Sequence, residues 1–207
     1  MHWLKRLRRC SGRTAVDEML TNVYKFIAYV WDYPHRKVGD VAETIPGARL
    51  VRSDLGEGGT FPVYGGSLKP LGYHTEANRQ GDTTFVVVKG NAGDVGYSAE
   101  PFYAADGCLC LKPIEGVLSK FLFYAIEARR PALLPHVRTW GVAGLSRTDV
   151  ENLEISVPCL DEQVRITEFL DQYNSVCLPD LEREAELRKR QGEYYHGKLF
   201  EMLHPCR

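Results

Sequence analysis

The chain has 207 residues, 44% of them hydrophobic, and its 26 Lys and Arg against 27 Asp and Glu give a formal net charge of -1. That is enough apolar material for one globular core with an appendage. The near-neutral balance excludes a chain that coats nucleic acid by bulk electrostatics, so any DNA contact has to come from a local basic face or be shared with a partner.

At the start, Lys5-Arg6-Leu7-Arg8-Arg9 has the look of a secretory n-region. Asp17, Glu18 and Lys25 then break the apolar stretch that such a signal needs. No uninterrupted apolar run reaches membrane-spanning length either. Val16, Met19, Leu20, Val23, Phe26, Ile27 and Val30 recur at helical intervals. They predict an amphipathic helix of about four turns that ends before Pro34, docking either on the chain's own core or on a partner.

Between Arg36 and Pro158 the pattern changes to short apolar runs punctuated by glycine. Phe61-Pro-Val-Tyr-Gly-Gly, Thr83-Thr-Phe-Val-Val-Val, Gly107-Cys-Leu-Cys-Leu-Lys-Pro and Leu153-Glu-Ile-Ser-Val-Pro read as strands and turns. Leu118, Phe121, Leu122 and Ala125 mark one helix, beginning at Ser119 or earlier. Ser146 with Asp149 resembles a capping box in which Asp replaces the usual Glu or Gln. Asp161 opens a further helix with an apolar face of Ile166, Phe169, Leu170, Tyr173 and Cys177, which Pro179 separates from the last helix. The region is of α+β class, a mixed-sheet domain followed by a long C-terminal helix of coiled-coil type. The predicted divisions are an amphipathic arm over 1–35, the mixed domain over 36–178 and the final helix over 179–207.

Six cysteines, at 10, 108, 110, 159, 177 and 206, form no Cys-x-x-Cys pair and no zinc-type blocks. Free thiols in a reducing cytoplasm are expected. Cys108 and Cys110 fall on one face of a strand. With His136 they suggest a metal site, but small buried hydrophobes are the better reading. His74, Asp106 and Cys108 or Cys110 also make a conceivable nucleophilic set, which spacing alone does not support.

Gly192-x4-Gly197-Lys198 has the spacing of a phosphate-binding loop, yet Leu199 stands where Ser or Thr would hold magnesium. Upstream, Glu182 to Arg190 is a run of helix formers with opposite charges at helical spacing, not a buried strand. Positions 181, 185, 188, 192, 195, 199 and 202 step by four and three and carry Leu181, Ala185, Arg188, Gly192, Tyr195, Leu199 and Met202. This is a heptad seam weakened in its middle.

The order of these pieces resembles the specificity subunit of type I restriction-modification systems. The resemblance is carried by Lys37-Val-Gly-Asp-Val, Phe61-Pro-Val-Tyr-Gly-Gly-Ser, Gly144-Leu-Ser-x-x-Asp-Val-Glu-Asn-Leu-Glu-Ile-Ser-Val-Pro and Leu160-Asp-Glu-Gln-Val-Arg-Ile-Thr-Glu-Phe-Leu-Asp. The final helix, Glu186-Leu-Arg-Lys-Arg-Gln-Gly-Glu-Tyr-Tyr-x-x-Lys-Leu, is similar to the family's spacer helix, where a residue such as Tyr is usual in place of Gly192. The resemblance implies a single target recognition domain for double-stranded DNA plus one spacer helix, half of the usual two-domain subunit. It implies no catalytic residue, metal or cofactor in this chain. S-adenosylmethionine would be bound by a methyltransferase partner acting on adenine N6, and a restriction subunit is a further partner of the family. Residues 1–30 match none of the motifs.

Reading bases takes Arg, Lys, Asn and Gln on exposed loops, with phosphate contacts setting position. The candidates are Ser67, Lys69 and Tyr73 after the Gly65-Gly66 turn, Asn78 and Arg79 before the first long strand, Lys89 and Asn91 after it, and Arg138, Trp140 and Arg147 later. Gly65-Gly66 is either a turn needing positive φ or a place where backbone approaches DNA. Leu181, Ala185, Gly192, Tyr195, Leu199 and Met202 are the candidates for helix pairing, which would make a homodimer or join a second recognition half. Two alternatives stay open: a recognition fragment that needs a second half, and a helical adaptor that binds protein alone.

Overall fold

In the computed structural model the described residues are 33–51, 55, 58–139, 141, 143–177, 183, 186, 187, 189 and 190. The predicted helix over 16–30, Trp140, the phosphate-loop-like string and all six helix-pairing candidates lie outside them. Contacts divide the chain into two units, Tyr24–Thr167 and the residues on either side of it.

The first unit runs β1 (His35–Lys37), α1 (Val38–Val41), β2 (Ala42–Pro46), β3 (Phe61–Tyr64), β4 (Gly72–His74), β5 (Thr83–Val87), β6 (Val95–Ser98), β7 (Tyr103–Ala104) and β8 (Cys108–Pro113). There follow α2 (Ser119–Leu133), a 3-10 turn at Leu134–His136, α3 (Arg147–Glu151), β9 (Glu154–Ser156) and the start of α4 (Leu160–Gln172). β2, β8, β5 and β6 form, in that order, a four-stranded sheet whose pairings are all antiparallel. A second sheet has the order β4-β3-β7, with β3 and β7 parallel, and β1 pairs with β9.

β5 and β8 are the centre. Their β-branched, aromatic and Cys-Leu alternation suits a pleat that is buried on both faces. On one face Val86, Leu109 and Leu111 join Leu122, Ile126 and Leu133 of α2. On the other, Phe85, Val87, Cys108 and Cys110 meet Phe102 and Ala104, with Tyr64 packed alongside. The layers are therefore helix, sheet and second sheet. Burying Phe85 and Phe102 contributes roughly 1.5–3 kcal/mol each. Gly96, opposite Phe85 in register, makes room for its ring, because a Cβ there would come within 2.3 Å of the ring.

Both cysteines are buried, as their alternation predicts. Burial pushes the Cys108 thiol up to about 12, with Cys110 and Asp106 adding to the effect. Burial also raises Cys110, partly offset by the nearby Arg79 guanidinium. Both thiols stay protonated at neutral pH, which removes them as nucleophiles.

One buried amide ties α2 to α4. Leu118, the N-cap of α2, offers no capping side chain. Instead the fully buried Gln163 accepts the Leu118 N–H at 2.9 Å and donates from Nε2 to the carbonyls of Gly116 and Pro158, both at 2.9 Å. Ser119 and Thr84 stitch the same helix to β5: the Thr84 N–H donates to the Ser119 hydroxyl at 3.1 Å and the Thr84 hydroxyl to the Ser119 carbonyl at 2.6 Å. The Ser146–Asp149 capping box forms as predicted at the start of α3.

Past Thr167, α4 keeps Leu170 buried but leaves Phe169 more than half exposed, its ring 6.5 Å from that of Tyr173. The expected apolar face is thus corrected. The buried positions Gln163, Ile166 and Leu170 step by three and four, and Phe169 lies off that stripe. α4 ends in a wider π-type turn at Tyr173–Cys177. Of the predicted final helix, Arg183, Glu186, Leu187, Lys189 and Arg190 are helical, with an Arg190–Glu186 ion pair at 3.1 Å and Leu187 exposed. No helix among the described residues is long and apolar enough to cross a membrane.

Gln163→Ala orphans one N–H and two carbonyls around a buried site, so chemical denaturation should show a loss of roughly 2–4 kcal/mol. A loss below about 0.5 kcal/mol would contradict that role. Alkylation of the folded protein at about pH 8 should label the exposed Cys159 and spare Cys108 and Cys110. Labelling of Cys108 at the rate of Cys159 would show that its thiolate is accessible.

Candidate nucleic-acid interface

β5 ends at Val87 and β8 begins at Cys108, and these two residues are paired. The turns that leave and enter this end of the sheet therefore meet. The Lys89 N–H donates to the Gly107 carbonyl at 3.3 Å, the Gly90 N–H to Ala143 at 3.0 Å and the Asn91 N–H to Gly66 at 2.8 Å. The Leu145 N–H donates to Val88 at 2.9 Å, and Arg138 and Gly144 exchange backbone bonds of 2.8 and 3.1 Å. The described residues of four segments, 65–67, 88–91, 105–107 and 138–139 with 143–145, meet in one continuous surface.

Glycines make that convergence sterically feasible. A Cβ on Gly90 would lie 2.5 Å from the Gly66 carbonyl oxygen, and one on Gly107 would lie 2.8 Å from the Gly65 carbonyl carbon. Gly90 also has φ of +90°. Neither Gly65 nor Gly66 has positive φ, so the expected turn chemistry is not what selects them. A Cβ on Gly65 would meet the Leu71 side chain at 2.7 Å and one on Gly66 the Lys89 carbonyl oxygen at 3.3 Å, which turns that pair toward the protein.

Of the sequence candidates, the structure brings Ser67, Lys69, Lys89, Asn91 and Arg138 onto this surface. The Ser67 hydroxyl donates to the Lys69 carbonyl at 3.1 Å, shaping the turn and leaving the Lys69 side chain exposed. Lys89 pairs with Asp106 at 2.8 Å, with both side chains more than half exposed. An exposed pair of this kind contributes at most about 1 kcal/mol, so a phosphate can compete for the lysine. Arg138 is exposed and lies near Asp149. The Ser146 hydroxyl holds the Asp149 carboxyl below its usual range, helped by the Ser146 N–H, His136 and Arg138. Arg147, in the next turn of chain, donates to Glu151 at 2.6 Å. Glu151 also accepts the Thr44 hydroxyl at 2.5 Å, and that bond first and the one from Arg147 second lower its pKa.

Other candidates have different work. Both ends of the Asn78 amide are bonded to Ala104, its Oδ1 accepting the Ala104 N–H at 2.7 Å and its Nδ2 donating to the carbonyl at 3.0 Å. Arg79 donates to the carbonyls of Asn78 at 2.6 Å and Pro46 at 2.7 Å. Internal backbone thus occupies the polar groups that made both residues candidates. Tyr73 is exposed on the edge strand β4, beside the hairpin that leads to the surface. Sequence reasoning gave no part in this surface to Gly90, Gly107, Asp106 or Arg130, since their partners are remote in sequence. Among the described residues, no group of three or more His, Cys, Asp or Glu side chains is placed to hold a metal.

A family model described as "Type I restriction modification DNA specificity domain" matches residues 31–187. The specificity subunit of the Escherichia coli type I restriction enzyme EcoR124I/EcoR124II is 34% identical over 98 residues, covering 45% of this chain and 24% of the relative. A putative type I specificity subunit of Mycoplasma pneumoniae is 27% identical over 179 residues, covering 79% of this chain and 56% of the relative. Among solved structures, the type I restriction-modification S subunit of M. genitalium matches with a TM-score of 0.65 at 20% identity, covering 83% of this chain and 46% of that one. The HsdS subunit of Thermoanaerobacter tengcongensis matches with a TM-score of 0.62 at 20% identity and the same two coverages, 83% and 46%. At such identities the structural likeness shows a shared fold. The chain spans from about a quarter to about half of the length of these proteins. The family match runs from before β1 to beyond α4, and on it the chain belongs to the type I restriction-modification DNA specificity family.

Proposed function

We propose that this chain reads one half of a bipartite DNA target and positions the methyltransferase subunits that modify it, contributing no reacting group of its own. The observation that carries this reading is the match to a DNA specificity domain over residues 31–187. The exposed Lys69, Lys89 and Arg138 on one convergent surface support it, because phosphate contacts from such groups set register while a neighbouring amide reads bases. The protonated, buried thiols support a non-catalytic chain.

In this account S-adenosylmethionine binds to the methyltransferase partner, and a restriction subunit joins the same assembly in the cytoplasm. A second recognition domain, in another copy of this chain or in a different chain, reads the other half-site. Pairing of the final helices through Leu181, Ala185, Gly192, Tyr195, Leu199 and Met202 holds the two domains at a fixed separation. Two-fold pairing of identical domains makes the target an inverted repeat with a constant gap.

The direct test is the methylated-adenine map of DNA from cells that express this chain with its cognate methyltransferase, compared with cells lacking the chain. A chain-dependent inverted repeat with one gap length is the expected result. An asymmetric bipartite site would mean that a different domain supplies the second half. No chain-dependent methylation, with both proteins present and associated, would overturn the reading in favour of an adaptor or an inactive fragment. In binding titrations, Lys69→Ala and Lys89→Ala should each weaken DNA binding about uniformly across sequences and reduce the salt slope by about 1. An unchanged slope would remove that lysine from the interface.

A further inference from the structure

The turn between β5 and β6 is held far more tightly than an exposed loop requires. Every backbone N–H from Val87 to Asp94 has an internal acceptor: Val87 to Asp94, Val88 and Lys89 to Gly107, Gly90 to Ala143, Asn91 to Gly66, Ala92 to Gly90, Gly93 to Val87 and Asp94 to Asn91. Ala92 is buried in the core cluster beneath. Gly90 and Gly93 supply the two positive φ values, +90° and +94°, that let the chain reverse there. From the side of α2, the Arg130 guanidinium donates from Nε to the Gly93 carbonyl at 3.1 Å and pairs through Nη2 with Asp94.

The side chains divide as sharply. Lys89 is paired with Asp106, Ala92 is buried and Asp94 is held by Arg130. Asn91 is exposed, and among the described residues its carboxamide takes no internal hydrogen bond. A rigid turn that carries an exposed amide at its tip, beside an exposed lysine and arginine, suits the recognition of a base edge. An amide with a fixed backbone can donate and accept at once, and the N6/N7 edge of adenine in the major groove matches that pair.

We propose that the Lys89–Asp94 turn is a sequence-reading element in which Asn91 determines the base at one position, an adenine. Arg130 and the Gly66–Gly90 contact act as positioning residues behind it. The assignment rests on the DNA-reading role proposed above and names the residue that performs it.

The test uses the full chain with its methyltransferase partner and a DNA library randomised at each target position, read as base preference per position, with melting temperature as the folding control. Asn91→Ala should leave the melting temperature unchanged and relax the preference at one position by about 5- to 150-fold, the discrimination of one bidentate contact. Arg130→Ala should relax the same position although Asn91 is intact, and Arg130→Lys should restore part of the preference. A merely structural role for Arg130 would lower the melting temperature and leave the preference unmoved. A wild-type preference that survives Asn91→Ala at every position would overturn the assignment and leave the DNA-reading role standing. So would a uniform loss of affinity without loss of preference, which marks a phosphate contact. A wild-type protein with no base preference would overturn both.

Discussion

The structure depends on the pairing of β5 with β8, two strands buried on both faces. Phe85 and Cys110 face the second sheet, and Val86 and Leu109 face α2, so a single register sets both cores. A slip by one residue would put Phe85 opposite Leu109 and Val86 opposite Cys108, sending one strand's side chains to the wrong face, which is why this register is strongly specified. The same register decides where the surface lies. Val87 opposite Cys108 forces the turns that follow and precede these strands to the same end, and there the chain has glycines at 65, 66, 90 and 107 so that backbones can touch.

That end of the domain is rigid in its backbone and open in its side chains. Backbone donors around Lys89 to Asp94 are consumed internally, whereas Lys69, Asn91 and Arg138 stand exposed. For recognition this is the useful division: ordering costs are met on folding, and polar side chains stay available for a partner. Asn78 and Arg79 show the opposite case. Residue types that look suited to bases are committed to the carbonyls of Ala104, Asn78 and Pro46 and act as internal struts.

Much of this was legible in the sequence where the signal is local. β5, β8, β9 and the start of α2 follow from β-branched runs and three-four spacing, and the capping box at Ser146 is visible as a spacing of three. β4, β6 and β7 were not legible, because two to four residues, with Gly in β4 and β6, carry too little periodicity to mark a strand. The length of α2 was hidden too, since Pro131 sits inside its last turns. Of the DNA candidates, the sequence named the residues of the convergent surface together with Asn78 and Arg79 and had no means of separating them. The separation rests on hydrogen bonds to residues 26 and 33 positions away. Gln163 was visible as part of a motif, but its function as the cap of a helix 45 residues upstream was not.

In the proposed function the surface built from the turns at Ser67, Asn91 and Arg138 faces DNA. This is tested most directly by placing a photo-crosslinking residue at Ser67, at Arg138 and, as a control, at Lys112, near the opposite end of β8. Each protein would be irradiated with target DNA and the methyltransferase partner. The account predicts DNA adducts from Ser67 and Arg138 and none from Lys112. Adducts from Lys112 with none from the other two would place the DNA at the wrong end of the sheet and contradict it.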